Sequence, residues 1–352
     1  MRIERVSVRR ASMPRVDPSW RTATYAASAV EGLIVEVEAD GLVGIGGTAA
    51  HPNSVTGDVL EAQLKGPVSN ALVGTDALER TAIRERLRGA QLHRSAVSAV
   101  DLALNDLVGK RAGLPCHALW GGAVRPGGEV IRFVGVKSPT ELVAAAGALM
   151  EEGFTHLKVK LGTGLAEDVE RIRALRSDFG DRVWIAVDGN GAYTTDGAIE
   201  LSRALEPYDV RLIEQPIDYD DLEGLARLTA ASPIPIMADQ SVRGVDSALE
   251  VCRRHAAHVV SIKAGQTGSL DECRRVAEMC LAFGIRVHVG GGGHPCVVDA
   301  AMAQVAVSVP GIEEECEVGE HLAVSGDITS GLIRNGRFEV TDAPGLGVSI
   351  VD

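Results

Sequence analysis

The chain has 352 residues, of which 45% are hydrophobic and 24% are charged, a balance typical of a soluble globular protein. Its formal net charge is −13 and it contains no compensating run of Lys and Arg, which argues against a nucleic-acid partner. No apolar run approaches the roughly 18 residues that a membrane span needs. The basic first ten residues are not followed by an apolar block, so we expect no signal peptide, and the absence of a long apolar run leads us to expect no membrane partner.

The six cysteines are scattered and form no C-x-x-C pair. In a chain of this length the pattern predicts reduced, mostly buried thiols in a cytoplasmic protein, and it argues against a zinc site. Aromatic residues make up only 3% of the chain, which argues against recognition by aromatic stacking.

The first third of the chain has a β-rich part and a helical part. Residues 1–50 alternate apolar and polar residues in "RIERVSVRRA" and "GLIVEVEADGLVGIGG", with a turn at Asp40-Gly41, which predicts strands. Residues 75–118 follow a helical pattern, as in "SAVSAVDLALNDLVGKRAG". The segment "LPCHALWGGAVRPGG" interrupts that pattern, so we place the end of a first domain, 1–122, within it.

Residues 123–322 repeat a short β-rich run followed by an amphipathic stretch. The residues that mark successive runs are spaced by 28, 26, 25 and 24 positions: Lys160, Asp188, Glu214, Asp239 and Lys263. A βα unit of this period predicts parallel strands joined by helices. About eight units fit, which favours a closed barrel over an open sheet. The tail, 323–352, is predicted to return to the first domain as strand and loop.

Three carboxylates follow successive predicted strands: Asp188 in "VDGN", Glu214 in "LIEQP" and Asp239 in "IMADQ". Barrel active sites are built at the carboxyl ends of the strands, so we expect the three side chains to converge. They would repel one another without a cation among them. Oxygen ligands suit a hard ion, Mg²⁺ before Mn²⁺. The alternative is that each acid caps its own strand separately.

Two lysines complete the predicted site. Lys160 ends the second barrel strand and Lys263 ends the sixth, so they approach the barrel axis from opposite sides. A partly desolvated lysine near a divalent cation has a lowered pKa and can act as a base. Lys158 lies two positions before Lys160 on the same side of the strand, where we expect it to support Lys160 electrostatically or to help hold the substrate.

These motifs resemble those of the enolase superfamily, within it the muconate-lactonizing subgroup of the mandelate racemase/muconate lactonizing enzyme family. The matching segments are "KVK", "VDGNGAY", "LIEQP", "MADQS" and "SIKAGQTGS", together with "AVSAVDLALNDLVGKRAGLPCHALWGG". The resemblance implies an α+β capping domain over a (β/α)₇β TIM-like barrel. It also implies Mg²⁺ held by Asp188, Glu214 and Asp239, Lys160 and Lys263 as the acid/base pair, and Asn190 and Gln240 as partners of the metal ligands.

Two positions depart from the family pattern. Gln240 stands where the family usually has an acid, which removes a negative charge beside the site. In "GGGGHPC", His294 stands where the subgroup usually has an apolar residue and where the mandelate-racemase subgroup has a catalytic histidine. His294 is either an extra acid for a leaving hydroxide, a substrate contact or a solvated turn residue. The glycine run lacks a following Lys-Ser/Thr, so a phosphate cradle is a poor interpretation.

Three reactions can use this set of groups, each beginning with abstraction of the α-proton of a carboxylate through a metal-stabilised enolate. We place racemisation or epimerisation of an amino-acid or imino-acid derivative first, because both lysines are present. Syn or anti dehydration of a β-hydroxy (imino) acid comes second, with His294 as its best support, and lactone cycloisomerisation is the third. Two rival interpretations are a Schiff-base lyase using one of the lysines and a binding barrel without catalysis.

Specificity is predicted to depend on the loops of the first domain and on the last strand. Tyr25 lies in the first of these loops, "RTATYAAS", and His51 lies in the second, "TAAHPNS". Glu315 and Glu317 alternate in the last strand, "IEEECEVGE", where one of them could hold an ammonium group of the substrate. The alternative, that these acids face water, is typical of acidic runs. The partner is predicted to be a small-molecule carboxylate, and the family resemblance implies a homo-oligomer.

Overall fold

The computed structural model describes residues 1–313, 315–329 and 333–351. The chain begins with a three-stranded antiparallel sheet in the order β1-β2-β3, followed by five helices. Its elements are β1 (Ile3–Pro14), β2 (Ala29–Ala39), β3 (Leu42–Ala49), α1 (Gly57–Gln63), α2 (Ser69–Leu72), α3 (Arg80–Arg88), α4 (Arg94–Ala112) and α5 (Cys116–Leu119), with a π-helical segment, Leu64–Val68, between α1 and α2.

The sheet and α4 pack closely because the residues of β3 that face the helix are the glycines Gly44 and Gly46. A Cβ atom on Gly44 would lie 2.1 Å from the carbonyl oxygen of Ala103, and one on Gly46 would lie 2.0 Å from that of Ala99. The apolar face of β2, with Leu33, forms a core with α4 that is separate from the barrel's core. This unit forms the cap whose loops reach the barrel.

Eight parallel strands form the barrel: β4 (Gly127–Val134), β5 (His156–Lys160), β6 (Trp184–Asp188), β7 (Val210–Glu214), β8 (Ile236–Ala238), β9 (Val259–Ile262), β10 (Arg286–Val289) and β11 (Glu315–Cys316). Each of β4 to β9 pairs with the next strand in parallel, and β11 pairs with β4. The ring closes between β10 and β11, where the Glu317 amide donates to the Val289 carbonyl at 2.9 Å. The predicted (β/α)₇β barrel with an N-terminal cap is confirmed.

Helices cover the outside of the barrel: α6 (Pro139–Glu151), α7 (Leu165–Phe179), α8 (Thr195–Leu205), α9 (Leu222–Ala231), α10 (Val245–Arg253), α11 (Ala264–Thr267), α12 (Leu270–Ala282) and α13 (Cys296–Ser308). Short 3₁₀ segments span Gly180–Arg182, Glu206–Tyr208 and Glu320–Ala323. Polar side chains start several helices, as in α6, where Ser138 and Glu141 form a reciprocal capping box. Strand residues alternate between a helix-facing core, with Leu157 and Val159, and the barrel interior, with Lys158 and Lys160.

The tail contacts both parts of the chain. A hairpin of β12 (Ile333–Arg334) and β13 (Arg337–Glu339) pairs with β4 in the antiparallel direction. Further on, the Leu346 amide donates to the Asp106 carboxylate of α4 at 2.8 Å. The predicted end of the last domain, Asp352, lies outside the described residues. Within the described residues, no helix combines the length and apolarity needed to cross a membrane.

Candidate active site

The three predicted metal ligands meet at one end of the barrel. Asp188 and Glu214 are the last residues of β6 and β7, and Asp239 follows β8 directly. Because these strands are neighbours and parallel, their carboxyl ends bring the three side chains to adjacent positions. The three residues are buried, with exposed fractions of 1%, 0% and 1%. Three carboxylates that are buried side by side need compensating positive charge, because burial and mutual repulsion both disfavour their ionised forms.

Lys158 supplies part of that charge from inside the barrel. Its Nζ donates to Glu214 Oε2 at 2.5 Å and to Glu317 Oε1, and it lies 3.9 Å from Asp188 Oδ2. Burial opposes its charged form, but the acids outweigh burial and raise the pKa of Lys158 well above its usual range. Lys158 is 1% exposed. Its ammonium group is therefore a positive charge held in one place inside the barrel, next to the acids. The geometry therefore favours the electrostatic role that the sequence suggested for it.

Lys160 and Lys263 approach the mouth from opposite sides. Lys160 ends β5 and Lys263 follows β9, and β5 and β9 lie half a turn of the eight-stranded barrel apart. Lys160 Nζ donates to Asp188 Oδ2, and Lys263 Nζ donates to Asp239 Oδ2 at 2.8 Å. Each candidate base therefore donates a hydrogen bond to one candidate metal ligand. The two lysines lie on opposite sides of the three acids.

The pKa of Lys263 is shifted in the direction opposite to the sequence-based expectation. Burial favours the neutral amine, but Asp239, Glu214 and Glu317 outweigh burial and raise the pKa of Lys263. The expectation of a lowered pKa assumed a cation beside the lysine, whereas its nearest partner here is the Asp239 carboxylate. On the acid side, burial and the charge of Asp188 raise the pKa of Glu214 well above its usual range.

Several amides hold the acids in place. Asn190, which the sequence singled out, donates to Asp188 from its backbone at 2.9 Å and from Nδ2 at 3.0 Å. Gln215 was not predicted to act here, yet its buried Oε1 accepts from the backbone amide of Asp239 at 3.0 Å. Gln266 donates to Asp239 Oδ1 at 3.2 Å and was also missed. Both lie within segments that resemble the family, "LIEQP" and "SIKAGQTGS". The available signals were the position of Gln215 directly after Glu214 and that of Gln266 three residues after Lys263.

The donor set around the acids fits a hard divalent cation. Among the buried side-chain oxygens of the described residues that have no hydrogen-bond partner, four belong to the predicted acids or to the amide residues next to them in the sequence or bonded to them: Glu214 Oε1, Asn190 Oδ1, Gln240 Oε1 and Gln266 Oε1. Oxygen atoms of carboxylates and amides are the ligands that Mg²⁺ prefers. As they stand, no three Asp, Glu, His or Cys side chains among the described residues form a coordination group. The lysine ammonium groups instead contact the three carboxylates.

Glu317, directly after β11, lies in the barrel interior, whereas Glu315 is the first residue of that strand. Glu317 Oε2 accepts from the Gly291 amide at 2.5 Å, and His288 Nε2 lies 3.1 Å from Glu317 Oε1 without the alignment of a hydrogen bond. Burial opposes ionisation, but Lys158 and His288 lower the pKa of Glu317 well below its usual range. Glu315 pairs with Glu129 at the start of β4, away from the mouth.

Two loop residues of the cap lie over the mouth. The rings of Tyr25 and His51 contact each other edge to face, with centroids 5.0 Å apart. Burial, followed by the charges of Lys263 and Lys160, lowers the pKa of His51, although the residue keeps an exposed surface. Burial raises the pKa of Tyr25, and Lys160 opposes that rise. Both rings therefore lie near enough to Lys160 and Lys263 for the charges of the lysines to act on them.

His294 is not the solvated turn residue that one interpretation of the sequence allowed. Its side chain is 14% exposed, and Nε2 lies 3.7 Å from Asp299 Oδ1. The other oxygen of Asp299 contacts His321 Nδ1 at 2.6 Å. Burial lowers the pKa of His294 against the opposing charge of Asp299.

Comparison with known proteins identifies the family. Residues 5–121 match the model of the mandelate racemase / muconate lactonizing enzyme N-terminal domain, and residues 141–352 match that of the enolase C-terminal domain-like family. An N-succinylamino acid racemase from Amycolatopsis is 31% identical over 99% of this chain and 95% of its own length. The chain belongs to the mandelate racemase/muconate lactonizing enzyme family. It is an enzyme of the enolase superfamily, among relatives that are isomerases.

Solved structures of this family superpose closely on the chain. A muconate lactonizing enzyme from Pseudomonas fluorescens, in complex with muconolactone, has a TM-score of 0.94 at 28% identity and covers 99% of this chain and 96% of its own. A dipeptide epimerase from Enterococcus faecalis, in complex with Mg and the dipeptide L-Leu-L-Tyr, has a TM-score of 0.93 at 27% identity and covers 99% of this chain and 100% of its own. Enzymes of this family generally bind Mg²⁺.

Proposed function

We propose that this enzyme racemises or epimerises the α-carbon of an N-acylated amino acid or related carboxylate with the help of Mg²⁺. The single observation that carries the proposal is the placement of Lys160 and Lys263 half a barrel turn apart, on either side of three buried carboxylates. A base on each face of the α-carbon is what 1,1-proton transfer requires. The relatives that act on N-succinylamino acids and dipeptides support an amino-acid derivative as the substrate.

The metal would be held by Asp188, Glu214 and Asp239, whose carboxylates are adjacent and buried. A bound Mg²⁺ would neutralise the substrate carboxylate and so acidify the α-proton. Asn190 and Gln266 hold the outer acids in orientation through the hydrogen bonds described above.

The lysines perform the proton transfer. One of them, in its neutral form, removes the α-proton from one face, and the ammonium form of the other delivers a proton to the opposite face. Lys158 stays charged throughout because Glu214 and Glu317 raise its pKa. Its fixed charge, 4.3 Å from the ring centre of Phe133, stabilises the negative charge that develops on the substrate.

The decisive experiment is proton NMR in D₂O with Mg²⁺ and a library of dipeptides and N-acyl, imino and hydroxy acids. We expect the α-proton signal of one class to disappear while the carbon skeleton stays intact. Lys160→Ala and Lys263→Ala should each lose exchange of one enantiomer while Mg²⁺ binding, followed by calorimetry, persists. Keto-acid signals would instead indicate dehydration, and exchange that survives EDTA would refute the metal-dependent proposal.

A further inference from the structure

The loop that follows Lys160 is bound by a buried acid that the proposed reaction does not use. Asp168 lies in the first turn of α7 and its exposed fraction is 0%. Its Oδ2 atom accepts the backbone amides of Gly162 at 2.8 Å, Thr163 at 3.1 Å and Gly164 at 3.3 Å. One carboxylate oxygen thus fixes three consecutive amides in the short segment between Lys160 and α7.

Asp168 also joins this loop to the end of β6. The hydroxyl group of Tyr193, which follows Asp188 in the chain, donates to the same Oδ2 atom. The hydroxyl group stays protonated and remains a donor, because burial and the Asp168 carboxylate raise the pKa of Tyr193. The backbone makes a second link, since the Leu161 amide donates to the Asp188 carbonyl at 2.9 Å. The loop after Lys160 is therefore fixed against the strand that ends at a proposed metal ligand.

The charge of Asp168 is compensated within its own helix. Arg171, which is 7% exposed, donates from Nη1 to the other carboxylate oxygen of Asp168. Its Nε donates to the carbonyl of Lys137, between β4 and α6, at 2.6 Å. Glu167 lies 3.8 Å from Nη2 of the same arginine, but its side chain is largely exposed. A charged carboxylate accepts hydrogen bonds more strongly than a neutral group does, so this ion pair supports the contacts with the loop.

The loop after Lys160 is enclosed between the barrel and the cap. Gly162 has a φ of +106°, a conformation that favours glycine. A Cβ atom on Gly162 would lie 2.6 Å from the Cβ atom of Ala192, in the segment after β6, and 2.8 Å from that of Ala23, in the cap loop that carries Tyr25. Barrel and cap thus limit the space for the loop, and Asp168 supplies its hydrogen bonds from α7.

We propose that Asp168 is a positioning residue for Lys160. By binding the loop after β5, it keeps the Lys160 amine at the distance and angle that removal of the substrate's α-proton requires. The inference rests on the proposed function, since it concerns one of the two proposed proton-transfer groups. In the described parts of the chain, no hydrogen bond or ion pair links Asp168 to Lys263 or to residues 264–268, so its effect should be confined to one face of the substrate.

The test follows α-proton exchange in D₂O for each enantiomer of the N-acyl amino acid that exchanges in the NMR screen. Lys160→Ala identifies the enantiomer whose proton Lys160 removes. Asp168→Asn, an amide of nearly the same shape, should slow exchange of that enantiomer by roughly 10- to 100-fold, because a base displaced by about 1 Å transfers a proton poorly. Exchange of the other enantiomer, which depends on Lys263, should fall by no more than about threefold.

Asp178→Asn is the matched control, since it makes the same change at an exposed position of α7 and should leave both rates unchanged. Tyr193→Phe removes one partner of Asp168 without changing a charge, and it should give the same one-sided effect at a smaller size. Equal losses for both enantiomers in Asp168→Asn would show that Asp168 only stabilises the start of α7, and they would overturn the inference. Unchanged exchange of both enantiomers would overturn it as well.

Hydrogen–deuterium exchange of the backbone separates the inference from the proposed function, because it needs no substrate. In Asp168→Asn the amides of residues 162–164 should exchange roughly 10- to 100-fold faster, whereas the hydrogen-bonded amides of residues 266–268, after Lys263, should keep their rates. Faster exchange confined to 162–164, in a protein that exchanges no α-proton, would uphold Asp168 as the residue that holds the Lys160 loop and refute the racemase proposal. Unchanged rates at 162–164 would refute the role of Asp168.

Discussion

Glu320 illustrates how one buried carboxyl group can make stability depend on pH. Burial raises its pKa to about 7, against the lowering effect of Arg132 on β4 and Arg15 after β1, while Asp299 on α13 and Glu317 after β11 raise it further. A raised pKa in the folded state means that the carboxyl group favours folding below its ordinary pKa. That contribution is lost as the pH rises through about 7.

We therefore expect Glu320→Gln to be more stable than the wild type at pH 8, by up to about 3 kcal/mol, and to match it near pH 5. Urea unfolding at both pH values measures the difference. Glu339→Gln, which makes the same charge change at an exposed position, serves as the control and should show no such trend. If Glu320→Gln changes the free energy of unfolding equally at pH 5 and pH 8, the raised pKa of Glu320 is contradicted.

At the scale of elements, the contact of β3 with α4 sets the position of the cap. The two elements approach so closely that the glycines of β3 contact the backbone of α4. On its barrel side, α4 contacts the segment after Lys263: Ser95 Oγ donates to the Gly265 carbonyl at 3.4 Å, and the Leu270 amide donates to Asp101 at 2.9 Å. The helix thus connects the cap sheet with the segment that follows Lys263, one of the two proposed catalytic lysines.

Gly46→Ala should destabilise the protein by about 3 kcal/mol, because its Cβ would overlap a backbone carbonyl that cannot rotate away. Gly66→Ala is the matched control, since nothing lies within 4 Å of its Cβ position. The control should change stability by no more than about 1 kcal/mol. Thermal unfolding of both variants measures this contrast, and equal melting temperatures would show that β3 can move away from α4.

At the scale of the whole molecule, the cap, barrel and tail share contacts that favour unfolding as one unit. The α4 carboxylates Asp101 and Asp106 accept backbone amides from α12 and from the tail. All six cysteines are buried in this assembly, as the sequence predicted. Burial raises the pKa of Cys273 to about 12, so its reactive thiolate is scarce at neutral pH.

A thiol reagent should therefore label fewer than one cysteine per native chain and all six after denaturation. During unfolding in urea, Cys116 of the cap and Cys273 of the barrel should become reactive at the same denaturant concentration. Mass spectrometry of the labelled peptides measures each site. Labelling of Cys116 well before Cys273 would mean that the cap opens independently of the barrel.

The sequence by itself determined the barrel, the cap and the positions of the strand-end acids and lysines. Its βα period fixes parallel strands, and parallel strands place their carboxyl ends at one mouth, so Asp188, Glu214 and Asp239 could be brought together from spacing alone. The division between inward and outward residues, such as Lys158 and Leu157, also follows from local alternation.

Only the tertiary structure decided which groups are partners. Lys158 contacts acids 56 and 159 residues away, and nothing in its own strand indicates that Glu317, rather than Glu315, is one of them. The structural role of Gln215 likewise depends on loops that meet after the barrel has closed. The local alternation of residues determines on which side of its own strand or helix a side chain lies. The packing of distant elements determines which groups that side chain contacts and how its pKa shifts.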